Sequence, residues 1–274
     1  MKLKFKIKVT VFCLSLFGLF NGGVIAAPPD SPSLQQLHNN CEGGDIESCN
    51  NLGQLYFNGK KVKRSYYTAA SYFQKSCKGG DIKTCHILAE LYMDYIGSGY
   101  YLNAAAAYNT ACYGNYNPSC SQLGLMYEIG IGVEKNNVKA VELYNRSCNK
   151  NHAESCSRLA IMYAGGRGVK KDTDKALDLF KRGCDGGDAK GCFELGSRFH
   201  HGNSIEQDLT KASELYKKAC DANHGFSCMA LGGIYRYGHG VEHNLIKAAK
   251  LYKKACDMNM EYGCKYYQEI KTEK

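Results

Sequence analysis

The chain repeats one pattern of apolar, small and aromatic positions about every 36 residues. In each unit a Leu is followed directly by Gly or Ala, and an aromatic residue stands four positions after the Leu. This spacing places the three side chains on one face of a helix, helix A, where the small residue lets a neighbouring helix approach closely. The positions are Leu52-Gly53-Tyr56, Leu88-Ala89-Tyr92, Leu123-Gly124-Tyr127, Leu159-Ala160-Tyr163, Leu195-Gly196-Phe199 and Leu231-Gly232-Tyr235.

A second apolar pattern predicts helix B, in which an Ala precedes an aromatic residue by four positions. Glycine-rich links such as Gly130-Ile131-Gly132-Val133 join A to B; glycine permits positive φ, and the Val can fold back as an apolar plug. Because the link joins two helices and recurs, we interpret it as a turn and not as a phosphate loop. The helix B pairs are Ala69/Phe73, Ala104/Tyr108, Ala140/Tyr144, Ala176/Phe180, Ala212/Tyr216 and Ala248/Tyr252.

Fourteen of the fifteen cysteines form pairs with a constant spacing of eight residues. Gly or Asn stands three residues after the first Cys of each pair, where a left-handed residue ends a helix, and Asp45, Asp81 and Asp188 follow as N-caps. The first Cys thus ends helix B and the second begins the next helix A, which brings the two side by side. If all fourteen are paired, none of them is free to act as a nucleophile or metal ligand. We predict the disulfides Cys41–Cys49, Cys77–Cys85, Cys112–Cys120, Cys148–Cys156, Cys184–Cys192, Cys220–Cys228 and Cys256–Cys264.

These patterns predict an all-α solenoid of antiparallel helix pairs with one disulfide per repeat. We divide the chain into a cleaved signal peptide (1–26), an N-terminal half-repeat (27–44), six repeats (45–256) and a C-terminal capping half-repeat (257–274). In the last unit Tyr267-Gln268 replaces the Leu-small pair, and the sequence Lys271-Thr272-Glu273-Lys274 suits the polar outer face that a solenoid end requires.

The first residues have the pattern of an export signal. Four lysines between Lys2 and Lys8 precede an apolar stretch from Val9 to Phe20, and a small-residue cleavage site ends at Ala26. The apolar stretch is short of the ~20 residues that span a bilayer, so we expect cleavage, with an uncleaved anchor as the alternative. Paired cysteines persist in oxidising compartments. The sequence therefore predicts a secreted or periplasmic protein with no membrane span after cleavage.

The charge balance excludes a nucleic-acid-binding stripe. The whole chain carries a formal net charge of +9, of which the leader supplies four lysines. The remaining basic residues are scattered at repeated positions instead of clustered. We interpret the lysines that precede the Ala of helix B as a solubilising surface; they are Lys139, Lys175, Lys211 and Lys247.

The second unit departs most from the pattern. Its link is one residue short, lacks Gly-x-Gly-Val and is rich in tyrosine. Tyrosine is common in recognition surfaces because it offers a large contact area with little entropy to lose. Our candidate binding residues are Tyr66, Tyr67, Tyr95, Tyr100, Tyr101, Tyr113 and Tyr116. The alternative is a locally repacked loop whose rings only fill space.

No catalytic or metal motif emerges from the sequence. Ser147-Cys148-Asn149-Lys150 formally matches the Ser-x-x-Lys of serine β-lactamases, but the companion motifs are missing and Cys148 belongs to a predicted disulfide, so we interpret the match as accidental. His200-His201 and His239/His243 are the only close histidine pairs, and no His-Glu-x-x-His occurs. We therefore expect no metal and no cofactor.

The unit from Leu123 to Cys148 resembles Sel-like repeats, which are relatives of tetratricopeptide repeats. With a Cys pair in every unit and an export leader, the chain resembles the Helicobacter cysteine-rich protein family from Cys41 to Cys264. The resemblance implies a right-handed superhelix of disulfide-locked helix pairs that is secreted and binds partners. It also implies penicillin binding with slow β-lactamase activity, a hydrolase function linked to antibiotic resistance.

Two functions follow as hypotheses. The first is an exported, monomeric scaffold that binds a protein or peptide, from a host or from the bacterium, in a concave groove lined by the A helices. The alternative is a binder of β-lactams or cell-wall peptides with slow hydrolysis, which rests on the resemblance alone.

Overall fold

The computed structural model describes residues 32–203 and 205–272, and the predicted signal peptide, residues 1–26, lies outside them. The described part of the chain folds into fourteen α-helices and no strand. Odd-numbered helices are the B helices of the sequence pattern and even-numbered ones the A helices. They are α1 (Leu34–Glu42), α2 (Ile46–Asn58), α3 (Tyr66–Lys78), α4 (Ile82–Leu91), α5 (Tyr101–Tyr113), α6 (Asn117–Ile129), α7 (Asn137–Cys148), α8 (Ala153–Gly165), α9 (Thr173–Asp185), α10 (Ala189–His201), α11 (Leu209–Asp221), α12 (Gly225–Tyr237), α13 (Leu245–Asp257) and α14 (Glu261–Thr272).

The turn from each B helix to the next A helix is built as the sequence predicts. Asn or Gly at its third position has a positive φ, as at Asn151 (60°) and Gly187 (94°). Asp45, Asp81 and Asp188 then cap the A helices, each side chain accepting a backbone N–H three residues ahead. These turns hold the paired cysteines 4.4–4.7 Å apart at Cα and each pair is bonded. The predicted all-α solenoid with one disulfide per repeat is confirmed.

The small residue of helix A seats the aromatic ring of the following helix B. A Cβ added to Gly124 would lie 2.7 Å from the ring of Tyr144, and one added to Gly232 would lie 2.8 Å from that of Tyr252. Both rings are buried. Contacts are densest between helices adjacent in sequence. Each hairpin therefore packs mainly against its neighbours in the chain, as in other repeat proteins.

The repeated lysine of helix B contacts the aromatic ring of the preceding helix A. The Nζ–centroid distances are 5.2 Å for Lys139–Tyr127, 4.4 Å for Lys175–Tyr163, 5.4 Å for Lys211–Phe199 and 5.0 Å for Lys247–Tyr235. These are cation–π contacts, worth about 0.5–1 kcal/mol at exposed sites. The lysine stripe therefore adds a packing contact to each repeat besides keeping that face polar.

The two ends of the described chain differ. At the N-terminal end α1 is a short B helix, capped by Ser33 and buried through Leu37 and Cys41. At the C-terminal end α14 packs on α13 through Ile270 and Tyr267. Across residues 32–203 and 205–272, none of the helices combines the length and apolar content required to cross a bilayer.

Candidate functional site

An open groove of about 430 Å³ runs across the A helices of the last repeats, α10, α12 and α14. Most of its wall is aromatic or apolar. Phe226 and Tyr237 are 57% and 64% exposed, although both are large rings. The lining side chains are Phe193, Ser197, His200, His201, Tyr216, Phe226, Met229, Ala230, Gly233, Tyr237, Tyr252 and Tyr266.

The groove wall comes from positions of helix A whose residue type varies from repeat to repeat. Phe193 and Met229 directly follow the second Cys of their repeats, and Tyr237 lies nine residues after Cys228. Phe193 and Met229 are half-buried and also pack on the next B helix, at Ala219 and Ala255, whereas Tyr237 is exposed. The sequence pattern does not identify these residues because they do not recur in every repeat. The available signal was that these non-recurring positions turn apolar in the last repeats, where α8 has Ser157.

Two buried phenols form the groove floor. Burial raises the pKa of Tyr252 to about 12 and also raises the pKa of Tyr216. Both rings therefore stay neutral at physiological pH. Gly233 exposes Tyr252 to the groove, since a Cβ there would lie 3.6 Å from the Tyr252 hydroxyl. The floor can accept apolar side chains and offers hydroxyl groups at its edge.

Histidines border the same groove. His200 and His201 have ring centroids 4.7 Å apart, and the Nδ1 of His200 is buried with no hydrogen-bond partner among the described residues. Burial lowers the pKa of His200, and the neighbouring His201 and His239 lower it further. His224 contacts Phe193 at a centroid distance of 4.9 Å, and burial lowers its pKa as well. His200 and His224 therefore favour the neutral form, which suits an apolar partner.

Five of the seven candidate tyrosines lie together, where α2, α3 and the π-helical segment Tyr92–Ile96 meet. Tyr66 and Tyr95 are 4.8 Å apart between ring centroids, and both pack against Phe57. Tyr67 meets Tyr100 edge-on at 6.0 Å. The fifth residue, Tyr101, begins α5 directly after Tyr100 and packs against the adjoining core.

Tyr113 and Tyr116 lie elsewhere. α5 separates Tyr101 from Tyr113 by its whole length, roughly 18 Å at 1.5 Å per residue. Tyr113 packs under Arg146 at 4.9 Å, and Tyr116 contacts His86 at 4.9 Å. The structure therefore divides the candidate tyrosines between the two ends of α5. Binding by either group stays a prediction.

Tyr100 takes the place of the repeated lysine in the second unit. The corresponding helix B position holds Asn103, and the ring of Tyr92 is instead stacked by Tyr100 at 5.5 Å and 8°. A 3₁₀ turn, Ser98–Tyr100, and the π-helical segment before it bring the ring there. Tyr100 is thus partly a packing residue, whereas Tyr67 and Tyr95 remain 63% and 48% exposed.

The serine of the formal β-lactamase match is inaccessible. Ser147 is completely buried in α7, and its hydroxyl donates to the carbonyl oxygen of Asn117 at 2.9 Å. It therefore faces a packed turn and no cavity. Within the described ranges no group of three or more His, Cys, Asp or Glu is placed to hold a metal ion.

Comparison with known proteins identifies the family. A model of the Sel1 repeat matches residues 46–81, 117–152, 153–188, 189–224 and 225–260, more than half of the chain. The chain belongs to the Sel1 repeat family. The match omits 82–116, which is the unit with the shortened link. No curated protein matches the chain at the sequence level.

Solved structures support the same fold. A protective antigen present in uropathogenic Escherichia coli strains is 20% identical, with a TM-score of 0.76 over 88% of this chain and 52% of its own length, so this Sel1 repeat chain spans about half of that protein. A Sel1 repeat protein from Oxalobacter formigenes is 23% identical, with a TM-score of 0.71 over 81% of this chain and 89% of its own. Helicobacter pylori cysteine rich protein B is 29% identical over 47% of this chain and 92% of its own, with a TM-score of 0.40. The Sel-like repeats predicted from the sequence are confirmed by the family model.

Proposed function

We propose that this Sel1 repeat protein is a scaffold that binds a peptide segment of a partner protein in the groove across α10, α12 and α14. The observation that carries the proposal is the exposure of two large aromatic rings, Phe226 and Tyr237, in one apolar groove. Exposed apolar surface of this kind is typical of interaction sites.

Apolar contacts would supply most of the affinity. The charged side chains beside the groove pair with one another, since Arg198 lies 3.0 Å from Glu194 and Arg236 lies 2.9 Å from Glu269. An aromatic side chain buries roughly 150–250 Å², so a partner can cover on the order of 100 Å² on each exposed ring, about 2.5 kcal/mol at 25 cal/mol per Å². The proposed ligand is therefore a peptide with aromatic or large aliphatic anchors.

The same proposal includes the place of action. The seven disulfides support a function in an oxidising compartment, outside the cell or in the periplasm. The division into six repeats between two half-repeats, with residues 45–256 as the repeat region, belongs to the proposal as well.

A peptide selection tests the groove. Short random peptides are selected on the oxidised protein, and Kd values of the recovered sequences are measured by fluorescence anisotropy. Phe226→Ala/Tyr237→Ala should weaken binding at least about tenfold, because each ring contributes a large buried area. Tyr262→Ala is the matched control, since Tyr262 is 62% exposed on α14 but does not line the groove. Peptides that bind the double variant as tightly as the native protein would show that the groove is not the site.

A further inference from the structure

We propose a second, separate binding surface for an acidic peptide segment at the first repeat. Its residues are Lys60, Lys61, Lys63, Arg64, Tyr67 and Tyr95, and we call it the basic tyrosine surface. It lies at the end of α2, and seven helices, α3 to α9, separate it from α10, where the groove begins. A test of binding at this surface can therefore fail or succeed without affecting the proposed function of the groove.

The link from α2 to α3 concentrates positive charge. Between Asn58 and Ser65 it carries four basic residues and no acidic one. All four are exposed, and none forms an ion pair with any residue in the described part of the chain. By contrast, Arg167 in the link between α8 and α9 is neutralised by Glu128 at 2.9 Å. The first link is thus a local cluster of cations without ion-pair partners, unlike the basic residues that are scattered over the other repeats.

The link is held in one shape. The N–H of Lys60 donates to the carbonyl of Leu55 at 3.1 Å, and the N–H of Ser65 donates to that of Tyr56 at 3.0 Å. Lys61 has a φ of 62°, a left-handed conformation that is uncommon for a lysine. Both ends of the link are therefore fastened to α2, and less conformational entropy is lost when its cations meet a ligand.

Exposed rings continue the surface from the link. Phe57 precedes the link and Tyr66 follows it, and both pack against Tyr95 at 5.2 and 4.8 Å. Tyr67 points outward beside Tyr100. Burial raises the pKa of Asp94, the acidic residue of the π-helical segment, and the charge of Glu90 raises it further. Because Phe57 and Tyr66 flank the basic link and both contact Tyr95, one ligand can contact the cations and the rings together.

The chemistry fits an acidic peptide with apolar side chains. Carboxylates complement the four unpaired cations, and apolar side chains can pack on Tyr67 and Tyr95. A nucleic acid or a long anionic glycan would instead require basic residues along an extended track. Here the charge is confined to one link.

Three synthetic peptides of equal length test the surface: one alternating Glu and Phe, one alternating Gln and Phe, and one alternating Glu and Ala. Binding to the oxidised full chain is measured by fluorescence anisotropy at low and high salt. We expect the Glu-Phe peptide to bind about tenfold more tightly than either of the others, and its affinity to fall with salt.

Matched variants locate the binding. Lys60→Gln/Lys63→Gln and Lys170→Gln/Lys171→Gln each remove two exposed charges from a link, and only the first pair should weaken the Glu-Phe peptide, by about tenfold. Tyr67→Ala/Tyr95→Ala should weaken it similarly, whereas Phe226→Ala/Tyr237→Ala should not. Equal effects of the two lysine pairs, no effect of the tyrosine pair, or tighter binding of heparin or an oligo-dT strand would each overturn the proposal. Circular dichroism of each variant confirms that the helices remain folded.

Discussion

Replacing Gly124 by Ala should destabilise the solenoid, although Ala is the better helix former. In a helix interior Ala is favoured over Gly by about 1 kcal/mol. The new Cβ would lie 2.7 Å from Cε1 and 2.9 Å from Cδ1 of Tyr144, whereas ordinary carbon contacts are about 3.5–4.0 Å. The ring or the helix must therefore move by on the order of 1 Å.

Tyr144 has little room for that movement. Its ring is fully buried, and its hydroxyl donates to Oε2 of Glu128 at 2.8 Å. Overpacking of a core costs roughly 1–3 kcal/mol, which exceeds the gain in helix propensity. We expect a net loss of about 1–2 kcal/mol, which lowers the Tm of a chain of this size by about 2–8 °C.

Gly196→Ala is the matched control. There the new Cβ would lie 3.1 Å from the ring of Tyr216, so a shift of a few tenths of an ångström suffices and propensity offsets the strain. Thermal unfolding of the oxidised proteins, followed by circular dichroism, should show a Tm for Gly196→Ala within about 2 °C of the native value. Gly124→Ala/Tyr144→Phe should lose less than the two single losses combined, because the ring is freed from Glu128. A Tm for Gly124→Ala equal to or above that of Gly196→Ala would refute the reasoning.

Three further measurements follow from the structure. Lys175→Met should cost about 0.5–1 kcal/mol in urea unfolding through loss of the cation–π contact with Tyr163, while Lys181→Met, which removes an exposed charge from the same helix, should cost less; equal losses would contradict the contact. Cys148→Ser/Cys156→Ser should lower the free energy of unfolding by about 2–3 kcal/mol, since the bond closes a loop of about nine residues; an unchanged urea midpoint would count against it. Because burial lowers the pKa of His224, stability should be complete above an unfolded pKa of about 6.5 and decline as the pH falls below it. His224→Asn keeps an N-cap residue and should flatten the decline between pH values of about 7 and 5; a decline as steep as the native one would exclude His224 as its source.

The sequence predicted those parts of the fold that depend on local geometry. Each turn from B to A is defined by a Cys, a left-handed Gly or Asn and the next Cys, and all three act within eight residues. The packing of Gly124 on Tyr144 could also be predicted, because it repeats in every unit. The tyrosine grouping was only partly resolved. Tyr113 falls at the far end of α5 from Tyr101, and residues close in sequence were grouped without regard to the length of that helix.

The groove could not be predicted because it depends on positions that do not repeat. Phe193, Met229 and Tyr266 belong to three successive A helices and become neighbours only when the hairpins stack. A repeat pattern identifies the residues that every unit needs, and the side chains left over on the free face of helix A appear irregular. In a solenoid those are the positions at which a ligand-binding surface can change without cost to the core. Ser157 is buried beside Gly183 and Gly191, whereas Phe193, in the same register of the next repeat, is half-buried and lines the groove. This register therefore changes from core to groove wall along the solenoid, which a repeat pattern cannot specify.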